Sequence, residues 1–308
     1  MVPAGFAIGH WTDVHALTGC TVILCPPATV GGCDVRGSSP GSRELALLAS
    51  DKTMQQVHAV LLTGGSAFGL AAADGVMKYL EEKNIGYVTP WGRVPIVPAA
   101  VVFDLNMGSS ATRPTAKDGY EACVAAQHDV VAEGNVGAGT GATVGKWGGM
   151  EGRMKGGVGF AEYIDNKLSV CALAAVNAVG DVLNEDGSIL AGARDQDRKW
   201  LADSDRYQRF ASATTILLSN TTLVAIMTNA KLTKVEANRL AQRGHDGMAR
   251  AIRPVHTSHD GDIVFGLASG EVETRFDLVA EIGSDLTAQA IRRGVRSAVS
   301  VEGAPACK

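Results

Sequence analysis

The chain has 308 residues, of which 46% are hydrophobic and 19% are charged, a balance typical of a single packed globular protein. Its 28 basic and 32 acidic residues give a formal net charge of −4, so no basic excess favours nucleic acid or anionic lipid as a partner. We therefore expect neither a nucleic-acid nor a membrane partner.

The N-terminus and the cysteines predict a cellular location. The residues from Met1 to Ala7 lack the basic start and the apolar run of a signal peptide. No stretch of about 18 apolar residues is present to span a bilayer. The six cysteines are scattered without CxxC pairs, which favours buried reduced thiols over disulfides or a zinc site. We predict a soluble cytoplasmic protein that needs neither a metal nor another cofactor.

The first third of the chain contains apolar runs that predict strands and one helix. Residues 21–24 and 59–62 are typical of buried strands, and a further strand is predicted at 86–89. A Gly-Gly-Ser turn after the second strand ends at Ser66 and leads into a helix that we expect to reach about Lys83.

Other segments of this region predict loops. Residues 31–41 are rich in glycine, and residues 97–104 follow several prolines. Between them, residues 43–49 predict a helix for which Ser42 is the N-cap.

The middle of the chain predicts a hairpin followed by an exposed segment. Residues 156–163 and 168–177 are typical of neighbouring strands joined by the turn Asp165-Asn166. Residues 180–208 are polar and charged, and we expect an exposed loop or linker there.

The last third predicts three strands and two helices. The strands are expected at 214–218, 222–227 and 262–268, and the helices from Thr233 to about Arg253 and from Ser284 to Val299. The first of these helices opens with the capping box Thr233-x-x-Glu236. Hairpins and helices are mixed rather than alternating, which indicates helices layered over packed sheets.

Two glycine-rich segments resemble nucleotide-binding loops but depart from the required patterns. The segment from Gly64 to Gly69 does not match G-x-G-x-x-G, because its second glycine follows the first directly. The segment ending at Gly145-Lys146 has Thr140 in place of the first P-loop glycine and Trp147 in place of Ser or Thr. We interpret the first segment as tight helix–strand packing, and the second does not qualify as a P-loop.

Three histidines lie near one another in the C-terminal third. His245, His256 and His259 lack the i,i+4 spacing of a helical metal site. We interpret them as surface or loop histidines.

Four polar residues, Ser219 to Thr222, interrupt what is otherwise one apolar run. A β-bulge with satisfied hydroxyls explains such a break, and so does a nucleophile. Asp260 and Asp262 stand at the entrance of another apolar strand, where residues two apart project the same way. Paired carboxylates would orient a hydroxyl nucleophile and accept its proton, and their repulsion would raise the pKa of one of them.

These residues belong to a series of motifs that extends over nearly the whole chain. In order they are 19–23, 34–44, 62–70, 97–104, 137–146, 220–222, 245–254 and 260–262. The series resembles the P1 or DmpA-type peptidase family, S58, which includes L-aminopeptidase/D-esterases, β-peptidyl aminopeptidases and nylon-oligomer hydrolases.

The resemblance implies an α+β fold, a four-layer αββα sandwich like that of N-terminal-nucleophile hydrolases. It implies one domain, 1–308, that cleaves itself into fragments 1–220 and 221–308, which stay together and form a homo-oligomer. The activity implied is hydrolysis of amide or ester bonds in small peptides, amino-acid amides or short oligoamides.

The family's site residues carry over position by position. Asn220–Thr221 matches the scissile bond, Thr221 the nucleophile, and Asp260 and Asp262 the pair that bonds to the nucleophile region. In addition, Asn177 matches the oxyanion-side amide, Lys146 the site lysine and Phe103 a pocket position where several members carry Tyr. A Thr nucleophile is closer to the nylon-hydrolase branch than to the aminopeptidases with Ser.

The chemistry expected of these residues has two stages. The Thr221 hydroxyl attacks the Asn220 carbonyl, and hydrolysis of the resulting ester frees the Thr221 amine. An α-amine has a pKa of about 7.7–8.0, so it then accepts the hydroxyl proton during turnover. A cation at Lys146 would lower the pKa of that amine, and the Asn177 amide would donate to the oxyanion.

Three alternatives stay open at this point. An acyltransferase similar to ornithine acetyltransferase would pass the acyl group to an amine instead of water. A nucleotide-binding module is disfavoured by the broken fingerprints. A degenerate binding scaffold that does not cleave itself is disfavoured by the intact Asn220-Thr221 and Asp260-Gly-Asp262.

Overall fold

The structure is a computed structural model that describes residues 1–165, 167–203, 207–208 and 220–307. Its strands, in chain order, are β1 (Ala7–Asp13), β2 (Thr18–Leu24), β3 (Val30–Val35), β4 (Ser42–Arg43), β5 (Ala59–Thr63), β6 (Tyr87–Thr89), β7 (Gly92–Val94), β8 (Ala99–Val101), β9 (Thr143–Val144), β10 (Met154–Lys155), β11 (Gly157–Asp165), β12 (Leu168–Asn177), β13 (Asp181–Leu183), β14 (Ile189–Ala191), β15 (Thr221–Ala230), β16 (Ile252–Arg253) and β17 (Ile263–Val272).

The α-helices in these ranges are α1 (Ala72–Glu82), α2 (Ala116–Val124), α3 (Lys234–Ala251) and α4 (Phe276–Arg296). Short 3₁₀ segments lie at Leu45–Leu48, Ser66–Ala71, Gly137–Gly139 and Leu201–Asp203. Among the helices described, none has the length and apolar character needed to cross a membrane.

Two five-stranded sheets form the centre of the molecule. The first has the order β1-β2-β5-β8-β4, in which β5 and β8 are parallel and the other neighbours antiparallel. The second has the order β11-β12-β15-β17-β3, in which β15 and β17 are parallel and the other neighbours antiparallel. Thr221 and Thr222 of the polar interruption are therefore the first two residues of the central strand of the second sheet.

Side-chain alternation along the strands explains how the layers stack. On β15, Leu223 and Ala225 join the core between the two sheets, whereas Val224 and Ile226 join the core that α3 and α4 cover. On β5, Val60 and Leu62 face the core between the sheets, and Leu61 packs with α1 and α2. Both faces of each strand are thus apolar, as expected for sheets covered on both sides. The predicted αββα sandwich of the α+β class is confirmed.

The prediction of a loop across residues 31–41 is wrong in its first half, since 31–35 lie in edge strand β3. Gly32 explains the difference. A Cβ there would lie 2.4 Å from the backbone nitrogen of Asn238 in α3, so the missing side chain lets the helix approach the sheet. The glycine therefore serves packing rather than a turn.

Two more predictions in this region need correction. Ser42 does not cap a helix over 43–49, because Ser42 and Arg43 form β4, and only a 3₁₀ segment at 45–48 follows. The predicted loop at 97–104 contains β8, whose buried Ala99–Val101 pair with β5. Pro95 and Pro98 precede this strand without entering it, so the ladder stays intact.

The exposed linker predicted at 180–208 is also wrong in part. Asp181–Leu183 and Ile189–Ala191 pair as strands, and Asp181 is fully buried, accepting hydrogen bonds from Trp147 Nε1 and the Ala193 amide. Among the described residues of this segment, 185–188, 196–199, 203 and 207–208 are exposed, as expected.

The helix and strand predictions nearer the C-terminus fare better. The capping box at Thr233 and Glu236 is present at the start of α3. The last helix begins at Phe276 rather than Ser284. The strand predicted at 214–218 lies outside the described residues.

Candidate active site

A cleft of about 320 Å³ opens where the ends of both sheets meet. Asn220 and Thr221 line this cleft and are nearly buried, with exposed fractions of 4% and 5%. The other lining residues are mostly small or apolar: Ser39, Pro40, Gly41, Ser66, Ala67, Val101, Phe103 and His259. The cleft thus presents the predicted scissile bond to small molecules.

The ends of three neighbouring strands position the residues of the site. Thr221 is the first residue of β15 and pairs with Asn177, the last residue of β12. Asn220 forms a parallel bridge with Asp260, just before β17 begins. Residues 40 or more positions apart in sequence therefore meet because β12, β15 and β17 are neighbours in one sheet.

The Asn220 carbonyl oxygen receives two hydrogen bonds. The Thr221 hydroxyl donates to it at 2.5 Å, and the backbone N–H of Gly261 donates at 2.8 Å. Hydrogen bonds to a carbonyl oxygen draw electrons from its carbon and make that carbon more electrophilic. The hydroxyl and a polarised amide carbonyl are thus held side by side.

Asp260 and Asp262 surround this bond without contacting the hydroxyl. Asp262 Oδ1 accepts from the Thr222 amide at 2.7 Å. Asp260 Oδ1 accepts from the Val179 amide at 3.3 Å, while its Oδ2 accepts from the Thr257 hydroxyl at 2.7 Å. The two carboxylates therefore bind different elements, and Asp262 contacts the residue next to Thr221.

Burial and a neighbouring charge both act on the pKa of Asp260. Burial raises the pKa of Asp260 above its usual range, and the nearby negative charge of Asp262 raises it further. The expected raised pKa within the pair is therefore present, although desolvation contributes more than repulsion.

Lys146 lies at the end of the glycine-rich loop, buried beside Asn177. Its Nζ donates to the Asn177 carbonyl oxygen at 3.0 Å and to Asn177 Oδ1 at 2.8 Å. Burial lowers the pKa of Lys146 to about 7, against the opposing attraction of Asp260 and Asp262. At neutral pH this amine exchanges readily between its charged and neutral forms.

Asn177 connects Lys146 to the wall of the cleft. Its Nδ2 donates to the Phe103 carbonyl oxygen at 3.1 Å, and its Oδ1 also accepts from the Thr143 amide at 2.9 Å. Phe103 itself lines the cleft. The sequence-predicted residues Thr221, Asp260, Asp262, Asn177, Lys146 and Phe103 are all brought together here.

The Gly-Gly-Ser turn that resembled a nucleotide loop forms part of the cleft wall. Gly65 and Ser66 have φ values of 78° and 53°, in the left-handed region. Buried Asp104 holds the turn by accepting from the Gly65 amide at 2.7 Å and from the Thr18 hydroxyl at 2.8 Å. A non-glycine residue in this conformation is strained, and such strain often marks functional sites.

The histidines are the part of the site that sequence reasoning missed. His256 Nδ1 lies 2.8 Å from Asp262 Oδ2, and its ring packs edge to face on His245, with centroids 4.7 Å apart. His245 is buried rather than exposed, its Nε2 lies 3.0 Å from the Asp34 carbonyl oxygen, and burial lowers its pKa to about 4. His259 lines the cleft. The available signal was their nearness in sequence, with His245 in α3 and His256 and His259 on the connection from this helix to β17.

The profile of peptidase family S58 matches residues 3–307 of the chain. An uncharacterised aminopeptidase of Mycobacterium leprae is 42% identical, with 98% of this chain and 91% of that protein aligned. A 6-aminohexanoate-oligomer endohydrolase of Agromyces is 30% identical over 87% of this chain and 74% of that protein.

Solved structures show the same fold at low sequence identity. A β-aminopeptidase of a Burkholderia species superposes with a TM-score of 0.71 at 21% identity, covering 98% of this chain and 88% of that one. The L-aminopeptidase D-Ala-esterase/amidase of Ochrobactrum anthropi, described as a variant of the Ntn-hydrolase fold, gives a TM-score of 0.71 at 16% identity, covering 96% and 85%.

Proposed function

The chain belongs to peptidase family S58 and is a hydrolase of peptide or amide bonds, and we propose that it activates itself by cleaving the Asn220–Thr221 bond. The observation that carries this proposal is the position of the Thr221 hydroxyl, 2.5 Å from the Asn220 carbonyl oxygen in a buried site. A nucleophile already beside a polarised carbonyl needs little further ordering before attack.

Self-cleavage needs a proton acceptor before the Thr221 amine exists. Lys146 suits that role, because its pKa of about 7 leaves a substantial neutral fraction at neutral pH. It lies against Asn177, the strand partner of Thr221. This role differs from the one expected from the sequence, a fixed cation that lowers the pKa of the Thr221 amine.

Turnover reuses the same hydroxyl. Thr221 then begins the second fragment, and its α-amine accepts the hydroxyl proton while the hydroxyl oxygen attacks the substrate carbonyl. Asn177 donates to the oxyanion from the neighbouring strand end. The acyl-enzyme is an ester, and water releases it.

The substrates proposed are small peptides, amino-acid amides or short oligoamides. The cleft is about 320 Å³, which suits a few residues, and its described lining is largely uncharged. Relatives are named for aminopeptidase and 6-aminohexanoate-oligomer hydrolase activities. We further propose that the enzyme works in the cytoplasm as a homo-oligomer, without a nucleic-acid or membrane partner.

The test compares amine release from an amino-acid amide panel and from 6-aminohexanoate oligomers. The wild-type chain should release amine from at least one of these classes, and Thr221→Ala from neither. Equal activity of the two proteins would remove Thr221 from the mechanism.

A further inference from the structure

Gly261 contributes an atom that touches the reacting group. Its backbone N–H donates to the Asn220 carbonyl oxygen at 2.8 Å, the oxygen that takes negative charge when Thr221 attacks. We propose that this N–H is the oxyanion donor of self-cleavage, and that Asp260 and Asp262 are positioning residues that aim it. The inference rests on the self-cleavage proposed above.

The peptide group before Gly261 is fixed from one side by Asp260. Its carbonyl oxygen accepts from the Ser39 amide at 2.9 Å, and its carboxylate accepts from the amides of Val179 and Thr257 at 3.3 and 2.9 Å. These donors come from three separate segments of the chain. The direction of the Gly261 N–H is therefore set by the surrounding fold.

Asp262 fixes the other side. Its carboxylate accepts from the Thr222 amide at 2.7 Å and lies 2.8 Å from His256 Nδ1. Its carbonyl oxygen accepts from the amides of Arg36 and Gly37 at 3.1 and 3.3 Å. A donor held in this way needs no reorganisation as charge develops, which is what makes oxyanion donors effective.

The absence of a side chain at 261 is a steric requirement of the same geometry. A Cβ built on Gly261 would lie 2.8 Å from Thr221 Oγ1 and 2.7 Å from the Ser39 carbonyl oxygen. Any larger residue would push against the nucleophile itself. Glycine thus lets the main chain come close enough to donate.

The electrons move as follows in the proposed step. Thr221 Oγ bonds to the Asn220 carbonyl carbon, and the π pair moves onto the oxygen that Gly261 holds. When that pair re-forms the C=O bond, the C–N bond breaks and its electrons stay on the Thr221 nitrogen. The proton leaves the hydroxyl for Lys146 and then reaches this nitrogen. Water later adds to the ester, giving the Asn220 carboxylate and restoring the hydroxyl.

The contacts of Asp260 and Asp262 favour a role in positioning the Gly261 N–H over a role as the general base. Both carboxylates are held by donors other than the Thr221 hydroxyl, and these donors fix their direction. Among the described residues, the hydrogen bond of the Thr221 hydroxyl goes to the Asn220 oxygen, and the carboxylates accept from other donors. Their place beside the site is explained by the peptide groups that they hold.

Replacing Gly261 by glycolic acid, through suppressor tRNA in cell-free synthesis, tests the donor directly. The resulting ester lacks the N–H and adds no side chain. The matched control is the same replacement at Gly187, whose N–H donates to the Asn184 carbonyl oxygen at 3.2 Å in an exposed turn. The appearance of fragment 221–308 is followed by intact mass, and folding by the melting temperature.

We expect cleavage to slow by about 100-fold or more with the ester at 261, as for the loss of one oxyanion donor, while the Gly187 control keeps the wild-type rate. A rate at 261 within threefold of that control overturns the oxyanion role alone. A wild-type chain that stays intact overturns the proposed self-cleavage, and this inference with it.

A second measurement covers the case in which the ester at 261 does not fold. In an intact Thr221→Ala chain labelled with ¹⁵N-glycine, the Gly261 amide should exchange its hydrogen slowly, because it is buried and bonded to Asn220. Rapid exchange of this amide overturns the proposal.

Discussion

The protonation state of Lys146 determines whether this residue can act as the base of the proposed self-cleavage. As a neutral amine it accepts a proton, whereas as an ammonium it supplies only charge. Its pKa of about 7 means that the accepting form grows as pH rises through neutrality. The self-cleavage rate of the wild-type chain should therefore climb from pH 5 to pH 8 and then level off. A rate independent of pH over this range contradicts a base with that pKa.

Lys146→Arg separates the two roles of this residue. Arginine keeps the positive charge but does not lose its proton at any working pH. If Lys146 is the base, Lys146→Arg and Lys146→Met should both lose self-cleavage by about 100-fold or more, within the usual range for general-base catalysis. If only the cation matters, Lys146→Arg should keep both self-cleavage and turnover. Lys146→Met should then keep self-cleavage but lose normal turnover. Melting temperatures show whether either variant is merely unfolded.

His256 offers a second contrast between matched variants. The residue has φ 55°, and its ring holds Asp262. Asparagine tolerates this backbone conformation and places an N–H near the position of Nδ1. His256→Asn should cleave itself within about threefold of wild type, whereas His256→Ala should be at least roughly tenfold slower. Equal rates for the two variants would falsify the role of the His256 side chain.

Single residues of the site were predictable where a local pattern marked them. Thr221 and the pair Asp260 and Asp262 each stood at the edge of an apolar strand, so the sequence showed them as polar breaks. His245 and His256 were interpreted as surface or loop residues, because the sequence does not show which partners the fold gives them, whether near, as Asp262 is for His256, or distant. His245, for example, meets Asp34, 211 positions away.

At the scale of elements, strands β12, β15 and β17 determine which residues meet. Their apolar runs are long and uninterrupted, and the sequence located them to within a few residues. β3 and β8 were missed for a different reason. Glycine and proline near these strands serve close packing and flanking turns, and tertiary contacts overrode their usual meaning.

The glycine-rich loop gives a prediction at this scale. Buried Lys155 donates to the carbonyl oxygens of Gly139, Ala142 and Gly156 at 2.8–2.9 Å. Lys155→Met removes three hydrogen bonds, each worth roughly 0.5–1.5 kcal/mol, although the Gly139 and Ala142 oxygens keep the Ala142 and Gly156 amides as donors at 3.3 and 2.9 Å. We expect a lower melting temperature at every pH, together with slower self-cleavage because the same loop carries Lys146.

Burial also lowers the pKa of Lys155 to about 7 in the folded chain, from 10.5 as the ordinary value. Between these values the unfolded chain binds more protons, so the free energy of unfolding rises with pH. Lys146 contributes with the same sign. The slope of stability against pH from 7 to 10 should therefore be smaller in Lys155→Met than in wild type. Equal slopes would show that Lys155 is not buried as described.

At the scale of the whole molecule, the proposed cut divides one fold between two chains. β15 lies in the middle of the second sheet, buried along its length between β12 and β17. Separating fragment 221–308 from 1–220 would expose this strand and the apolar core on both its faces. Native mass spectrometry should find the two fragments at a 1:1 ratio, in one unit or in an oligomer of such units. Free 221–308 in native buffer contradicts this.

The mixed order of hairpins and helices indicated helices over packed sheets, and the resemblance that covers nearly the whole chain specified the four layers, whereas composition alone indicated only a packed globular protein. Alternation could not reveal the layers, since strands covered on both faces read as continuous apolar runs. Which helix covers which sheet depends on contacts between distant segments. The series of motifs carried that information because their order follows a known family.

Self-cleavage between Asn220 and Thr221 is tested most directly by the intact mass of the purified chain under denaturing conditions, with N-terminal sequencing of the smaller species. The wild-type protein should yield fragments 1–220 and 221–308, the latter beginning Thr-Thr-Leu-Val. Thr221→Ala, prepared in parallel, should remain one chain of 308 residues. A wild-type chain that is still whole after prolonged incubation at neutral pH, or a cut at any other bond, would contradict Thr221 as the nucleophile.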